Sequence, residues 1–124
     1  MAADDRGGWP DRLAAVVSGR LGYGTAAVVA GGPDDADVVF PWHAAVVVPA
    51  RDWACGLGRA VGAGLARQAK PVVVLLVAGD DDRRYVDRAR RAGRNLVPRP
   101  QVWVVDTRRD ELALDDVGPV VPVG

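Results

Sequence analysis

The chain has 124 residues, a hydrophobic fraction of 49% and a formal net charge of +0 at pH 7. That length fits one domain with one core, and the composition is that of a globular protein rather than a disordered chain. A neutral chain has no whole-domain attraction for nucleic acid or anionic membranes, so any such binding requires a local patch.

Residue usage is typical of a bacterial, cytoplasmic protein. Lys70 is the only Lys, Glu111 is the only Glu and Ile is absent, a bias that a GC-rich bacterial genome produces. Residues 1–8 lack the apolar stretch of a secretory signal, and the most apolar run, residues 72–78, is too short to span a bilayer. Cys55, the single cysteine, cannot close an intramolecular disulfide. We therefore expect a soluble cytoplasmic protein with no membrane partner.

The first half of the chain predicts one helix and three short strands. A proline in the first turn, an apolar stripe and a closing glycine predict a helix over residues 10–18. Three β-type segments follow, at residues 25–30, 37–40 and 44–48. The gaps between them are too short for the crossover that parallel neighbours need, so we expect an antiparallel meander.

The second half predicts helices alternating with strands. A helical period covers residues 52–69, and its inner face is predicted to hold four apolar residues at steps of four: Trp53, Leu57, Val61 and Leu65. The continuously apolar run 72–78 predicts a buried central strand. A third helix capped by Asp80 or Asp81 and a fifth strand over residues 101–106 complete the pattern.

The predicted fold class is α/β, with the order α-β-β-β-α-β-α-β in a single domain over residues 1–124. A three-strand antiparallel meander is followed by parallel strands, and helices cover both faces of one mixed sheet. The tail, residues 117–124, is expected to form an extended C-terminal arm or an edge segment. Its two prolines, Pro119 and Pro122, are confined to such positions because they cannot donate to a ladder.

Three pieces of sequence carry a family resemblance: PDDADVV at 33–39, AVVVPA at 45–50, and GRAVG at 58–62 leading into KPVVVL at 70–75. In this order, with an Asp at the start of the second strand, they resemble the PD-(D/E)xK, or restriction-endonuclease-like, superfamily. The resemblance implies one or two Mg²⁺ ions held by acids on the second and third strands. Asp37 matches the position on the second strand, with Asp34 or Asp35 as alternatives.

The third strand departs from the family pattern. Val48, Pro49 and Ala50 stand where an acid, any residue and a Lys belong. Asp52 and Arg51 are the nearest replacements, although Arg does not serve as a proton donor or acceptor because its pKa lies above about 12. The resemblance therefore implies a nuclease-like scaffold whose metal site is degenerate.

Two functions of different class remain open. The first is a non-catalytic, nuclease-like interaction module that needs no cofactor and acts as a homodimer or with another protein. The second is a divalent-metal-dependent nuclease in which Asp37 binds Mg²⁺, with Asp52 and Arg51 as displaced catalytic residues.

The predicted second helix carries a stripe of small residues at steps of four: Ala54, Gly58, Gly62 and Ala66. Each glycine in a helix interior costs about 1 kcal/mol relative to Ala, so we expect a second backbone to approach this stripe closely. The partner is either an element of the same chain, the preferred alternative, or a second copy across a dimer interface.

The predicted third helix is the most basic element. Arg84, Arg88 and Arg91 share one face and predict contacts with nucleic-acid phosphates; the alternative is a solvated face balanced by nearby acids.

Two further features are open to functional and structural interpretations. Cys55 falls in the first turn of a helix, where the dipole favours a thiolate, and His43 is its potential partner; the commoner alternative is an inert core cysteine. Trp9 and Trp42 fall at element ends, where a partly exposed aromatic side chain often marks a contact surface.

Overall fold

The computed structural model describes residues 8–19, 21–22, 24–29, 35–114 and 120–123. Within these residues lie three α-helices: α1 (Trp9–Gly19), α2 (Trp53–Arg67) and α3 (Arg83–Gly93). The strands are β1 (Ala27–Val28), β2 (Val38–Phe40), β3 (His43–Pro49), β4 (Lys70–Val77), β5 (Gln101–Asp106), β6 (Glu111–Ala113) and β7 (Val120–Pro122). Short 3₁₀ turns, Ala50–Asp52 and Asp80–Asp82, precede α2 and α3.

The strands form one mixed sheet in which neighbours in space are also neighbours in the chain, from β1 to β7. The pairs β1–β2 and β2–β3 are antiparallel, whereas β3–β4 and β4–β5 are parallel. The predicted meander followed by parallel strands is therefore confirmed. Each parallel pair is connected through a helix. The gaps within the meander are too short for such a crossover, so its strands are antiparallel.

The sheet extends beyond the prediction at its C-terminal edge. β6 pairs antiparallel with β5, and β7 pairs antiparallel with β6. A three-residue strand is too short for its alternation to be recognised from sequence, which is why β6 is absent from the predicted order. Residues 120–122 of the predicted arm are an edge strand of the sheet, while residues 117–119 lie outside the described residues. The strand arrangement thus differs from the predicted one, and the restriction-endonuclease-like topology stays an expectation.

Helices cover both faces of the sheet, as predicted. Alternate residues of β3 separate two clusters, with Ala45 and Val47 facing α1, and Val46 and Val48 facing α2 and α3. Strands β3, β4 and β5 are buried almost throughout because both of their faces are covered. This burial makes the two ends of the parallel strands, rather than their faces, the places where the central sheet meets solvent.

The face that α2 turns to the sheet shares Leu57 and the partly buried Trp53 with the predicted apolar stripe, but it excludes Leu65 and the small-residue stripe. Its buried residues include Gly56, Leu57 and Gly64, and a Cβ built on Gly56 would stand 2.7 Å from Cγ2 of Val48. A step of four residues advances about 40° beyond a full turn, so a stripe at steps of four winds off the sheet. Leu65, predicted inside, is consequently 62% exposed.

The small-residue stripe of α2 also faces outward. Ala54, Gly58, Gly62 and Ala66 are exposed, and a Cβ on either glycine would meet no described atom within 4 Å. The preferred expectation, an intramolecular partner for this stripe, is wrong for the described part of the chain. Gly56 and Gly64 make the close approach instead, and the dimer alternative stays a prediction.

Candidate functional site

Asp37, the residue matched to a family metal ligand, is buried at the entry to β2. Its Oδ2 accepts a hydrogen bond from the backbone N–H of Val47 at 2.8 Å, and its Oδ1 lies 3.4 Å from a guanidinium nitrogen of Arg59. Its own N–H donates to the carbonyl of Ala45 at 2.8 Å. Asp37 therefore extends the pairing of β2 with β3 and ties both strands to α2.

Asp35, an alternative ligand, is held by the other end of α2. Both of its oxygens accept hydrogen bonds from Arg67, at 2.8 Å each. Those bonds, and then one from the backbone N–H of Ala36, lower the pKa of Asp35 to about 2, and the pair raises the pKa of Arg67. The remaining alternative, Asp34, lies outside the described residues.

The positions predicted to replace the third-strand motif are separated from the strand. Val48 and Ala50 are buried, whereas Arg51 and Asp52 are exposed in the 3₁₀ turn before α2. Asp52 occupies the N-cap position of α2 but its side chain makes no hydrogen bond to the helix amides. Among the described residues, no three His, Cys, Asp or Glu side chains are grouped so that they could hold a metal ion.

The structure does not bring Cys55 and His43 together. His43 begins β3, and Cys55 lies beyond its far end in the first turn of α2. A seven-residue strand separates them by roughly 20 Å. Cys55 is exposed rather than part of the core, and the His43 ring stacks on Phe40 while its Nδ1–H donates to the carbonyl of Pro41 at 2.8 Å.

The three arginines predicted to contact phosphates are all exposed on α3. Arg84 donates to the hydroxyl of Tyr85 at 2.9 Å, and the guanidinium groups of Arg84 and Arg88 lie 4.8 and 5.9 Å from the centre of its ring. Two of the three are thus packed on an aromatic side chain of their own helix, and Arg91 is the third member of the face. Nucleic-acid binding by this face stays a prediction.

A cluster of charged residues lies at the carboxyl ends of β4 and β5. Asp106 is 6% exposed, and its Oδ1 accepts hydrogen bonds from the backbone N–H groups of Arg108 and Arg109 at 3.0 and 3.3 Å. Arg83, Arg108 and Arg109 all place a guanidinium nitrogen within 4.0 Å of its carboxylate. Asp82 closes the neighbouring turn by accepting from the N–H of Ala78 at 2.8 Å. Acids and cations at this end satisfy one another.

The opposite, amino-terminal end of the parallel strands carries Trp42. Pro41 and Trp42 form a two-residue turn between β2 and β3, closed by the pair Phe40–His43. Trp42 has φ +64° and its carbonyl accepts from the N–H of Lys70 at 2.7 Å, so the turn is tied to β4. Proline followed by a positive φ is the type II pattern, whose second central position normally holds Gly or Asn. A bulky residue there is strained by roughly 1–2 kcal/mol.

The strained tryptophan also has the most exposed aromatic side chain in the described part of the chain, at 79%. The expectation of a contact surface stays a prediction for Trp42 and is wrong for Trp9. Trp9 is buried in the core at the start of α1, with the guanidinium of Arg12 over its ring at 3.9 Å. Exposure gives Trp42 no packing energy with which to offset its backbone strain.

Two adjoining cavities open on either side of Trp42. The larger, about 590 Å³, is lined by apolar surface from Leu65, Pro71 and Pro98 together with polar groups at its edge. The smaller, about 310 Å³, lies towards Phe40, His43 and Arg67. The larger cavity, with a volume of several hundred Å³ and a mainly apolar lining, is typical of a binding pocket.

The larger cavity carries two cations, Lys70 and Arg99. Both are exposed, and neither makes an ion pair with any residue that the structure describes. No Asp or Glu lines either cavity within the described chain. The described part of the amino-terminal end therefore combines exposed apolar surface with two cations that have no acidic partner within it.

Part of this site had a signal in the sequence. The gap Pro41–Trp42 between two strand patterns indicates a turn, and Trp42 was singled out as an exposed aromatic. A strict four-residue step predicts that Leu65 lies in the core, but such a stripe winds off the sheet before it reaches Leu65. Lys70 and Arg99 gave no signal because only the sheet brings the starts of neighbouring parallel strands together.

Comparison with protein-family models, with curated proteins and with solved structures gives no match to this chain. The resemblance to the PD-(D/E)xK superfamily therefore rests on element order and the quoted motifs. Among the described residues, no helix has the length and apolar character needed to cross a bilayer.

Proposed function

We propose that this protein is a non-catalytic interaction module that binds a protein segment in the groove around Trp42. The observation that carries the proposal is the turn itself. A tryptophan with φ +64° and a 79% exposed side chain lies between two cavities that together line one end of the sheet. Strained, exposed residues of this kind cluster at binding sites, since neither the backbone nor the core favours them.

The partners of Asp37 support a non-catalytic role. One carboxylate oxygen accepts from a backbone N–H of β3 and the other faces Arg59. A divalent cation at Asp37 would compete with both interactions and would lie beside a fixed positive charge. Asp37 in this arrangement stabilises the sheet rather than presenting an open ligand.

The composition of the Trp42 groove supports binding to protein. Tryptophan and arginine are enriched at the energetic centres of protein–protein interfaces, where an aromatic side chain fills or flanks a desolvated pocket. Trp42, Leu65 and Val97 are large apolar side chains with exposed fractions of 79%, 62% and 90%. Trp42 and Leu65 line the larger cavity. Val97 precedes Pro98, another lining residue.

Selection from a random peptide library displayed on phage tests the binding proposal. The full chain is the bait, and Trp42→Gly is the counter-selection bait, because glycine adopts the positive φ at no steric cost and the variant is expected to fold. Peptides that bind the wild type and lose about tenfold or more in affinity for the variant are the expected result. If every selected peptide binds both proteins equally, the groove is not the binding site and the proposal fails.

Melting curves with and without Mg²⁺ or Mn²⁺ test the non-catalytic part. A ligand that binds only the folded state raises the melting temperature by mass action, so a metal-dependent rise that disappears in Asp37→Asn would favour the nuclease alternative. We expect no such rise and no cleavage of DNA by the wild type. Asparagine retains one acceptor for the Val47 N–H, and it is therefore a better matched variant than alanine.

A further inference from the structure

The larger cavity beside Trp42 is mainly apolar in its lining and carries two cations, whereas the smaller cavity has a mixed polar and apolar lining. Two cations border the larger cavity: Lys70, the first residue of β4, and Arg99, which lies just before β5. Neither has a carboxylate partner among the described residues. On the other side of Trp42, Arg67 lines the smaller cavity, and its charge is matched by Asp35. Lys70 and Arg99 therefore have no acidic partner among the described residues at this end.

The positive charge at this end is local, because the whole chain is neutral. At the other end of the parallel strands acids are matched by arginines, as Asp106 is by Arg83, Arg108 and Arg109. A local excess of positive charge at the amino-terminal end favours an acidic partner there.

Exposed apolar side chains extend beyond the lining of the larger cavity. Trp42 lines both cavities, and Val97, at 90% exposure, is adjacent in sequence to the lining residue Pro98. A small ligand confined to one pocket would leave this flanking surface in water. A peptide chain is long enough to cover it. In an extended peptide, successive side chains on one face are about 6.6 Å apart, so neighbouring side chains can enter two adjoining cavities.

On these grounds we infer that the occupant is an acidic peptide segment of a partner protein, which inserts an apolar side chain beside Trp42 and places carboxylates against Lys70 and Arg99. The inference rests on the proposed function and names the partner chemistry of that site. Trp42 and Leu65 supply the apolar contact, and the two cations select for sequence and accelerate association.

The composition of the selected peptides is the first test. Peptides that prefer wild type over Trp42→Gly are sequenced, and an excess of Asp and Glu next to an aromatic or branched apolar residue is expected. Neutral or basic peptides with the same dependence on Trp42 would overturn the acidic partner and leave the interaction module standing. Equal binding to both baits would overturn the interaction module itself.

Charge-matched variants are the second test, using the strongest acidic peptide from the selection and its Gln/Asn counterpart. Lys70→Gln and Arg99→Gln should each weaken the acidic peptide about threefold to fivefold, reduce its salt dependence, and leave the Gln/Asn peptide unchanged. Ala15 is exposed on α1, and Ala15→Glu alters the net charge by the same amount. This control should weaken binding of the acidic peptide much less. Equal losses in all three variants would show a general charge effect and overturn the specific contacts.

A second copy of the chain is the competing occupant, and sedimentation separates the two. The inference expects Trp42→Gly to leave the sedimentation coefficient unchanged over the concentration range of the binding assays. Self-association of the wild type that is lost in Trp42→Gly, and that the acidic peptide does not displace, would overturn it in favour of a homodimer.

Discussion

The two ends of the parallel strands β3, β4 and β5 differ in how their exposed groups are satisfied. At the carboxyl end, Asp106 is buried among two backbone N–H groups and three arginines, and Asp82 closes the turn after β4. At the amino end, Trp42 and Leu65 are exposed, and Lys70 has no carboxylate partner among the described residues. The carboxyl end pairs its charged groups within the chain, whereas the described residues of the amino end leave apolar and charged surface exposed.

This difference reverses the usual expectation for α/β proteins. Ligands commonly bind outside the carboxyl ends of parallel strands, at a point where successive crossovers pass to opposite faces. Here α2 and α3 pack on the same face of the sheet, so the two parallel crossovers create no such crevice. The charged residues at the carboxyl edge are therefore accounted for by structural contacts, and the proposed binding surface lies at the amino-terminal end.

The largest expected effect is at the carboxyl end. Asp106→Ala should lower the free energy of unfolding by about 2–3 kcal/mol, because it leaves two backbone N–H groups without their acceptor and removes the carboxylate that three arginines surround. Urea denaturation measures the loss. Asp106→Asn keeps an acceptor oxygen and should lose clearly less; a loss below about 1 kcal/mol for Asp106→Ala would mean that this end is not self-stabilised.

The next effect distinguishes the sheet side of α2 from its outer side. A Cβ on Gly64 would stand 2.8 Å from the carbonyl oxygen of Ala69, whereas one on Gly62 would meet no described atom within 4 Å. Gly64→Ala should therefore destabilise the protein by about 1–2 kcal/mol, and Gly62→Ala should stabilise it by about 0.5–1 kcal/mol.

Thermal melting of the two alanine variants makes the comparison directly, since both substitutions lie in one helix and add one methyl group. A destabilised Gly62→Ala variant would indicate that the outer stripe packs against another chain. Concentration-dependent melting would then identify that chain as a second copy.

Trp42→Gly is expected to raise stability by about 0.5–1 kcal/mol while it removes peptide binding. Glycine relieves the strain of the positive φ, and the exposed indole contributes little packing to lose. Trp42→Ala, which loses the indole but keeps the strain, is the matched control and should be no more stable than wild type. Chemical denaturation of both variants measures the effect, and equal stability of the glycine and alanine variants would contradict the assignment of strain.

The smallest effect concerns acid and the pair Asp35–Arg67 beside the smaller cavity. Because Arg67 holds the pKa of Asp35 near 2, below the ordinary value of about 3.9, the pair stabilises the folded protein above about pH 4. That contribution is lost as the pH falls from about 4 towards 2.

The urea midpoint of Arg67→Gln should therefore be lower than that of wild type above pH 4. The difference between the two midpoints should narrow as the pH approaches 2. Measurements at a series of pH values check the sign. A difference that stays constant across this range would show that Arg67 acts through packing rather than through the charge of Asp35.

Much of the fold follows from local pattern. The helices near Pro10, Trp53 and Arg83 and the strands up to Gln101–Asp106 were predicted because periodicity and turn residues act over a few positions. The short gaps of the meander also determined which neighbours are antiparallel. β6 escaped prediction because three residues carry too little periodicity.

The candidate site was less predictable because its residues come from different elements. Trp42 could be recognised as an exposed aromatic in a turn, but its positive φ depends on the hairpin that closes around it. Asp37 was matched to a metal ligand from its place in the chain, and its actual partners, Val47 and Arg59, are 10 and 22 residues away. Hydrogen bonds over such separations leave no local signature.

The sequence by itself determined the fold class, the order of the first eight elements and the presence of helices on both faces of the sheet. Tertiary structure alone decided which side of α2 meets the sheet, because close contact of Gly56 with Val48 and of Gly64 with Ala69 fixes the helix rotation. It also decided that Trp42, Leu65, Lys70 and Arg99 share one surface. Parallel strands bring their starting residues together only after the crossovers have formed, and that juxtaposition cannot be read from any single segment.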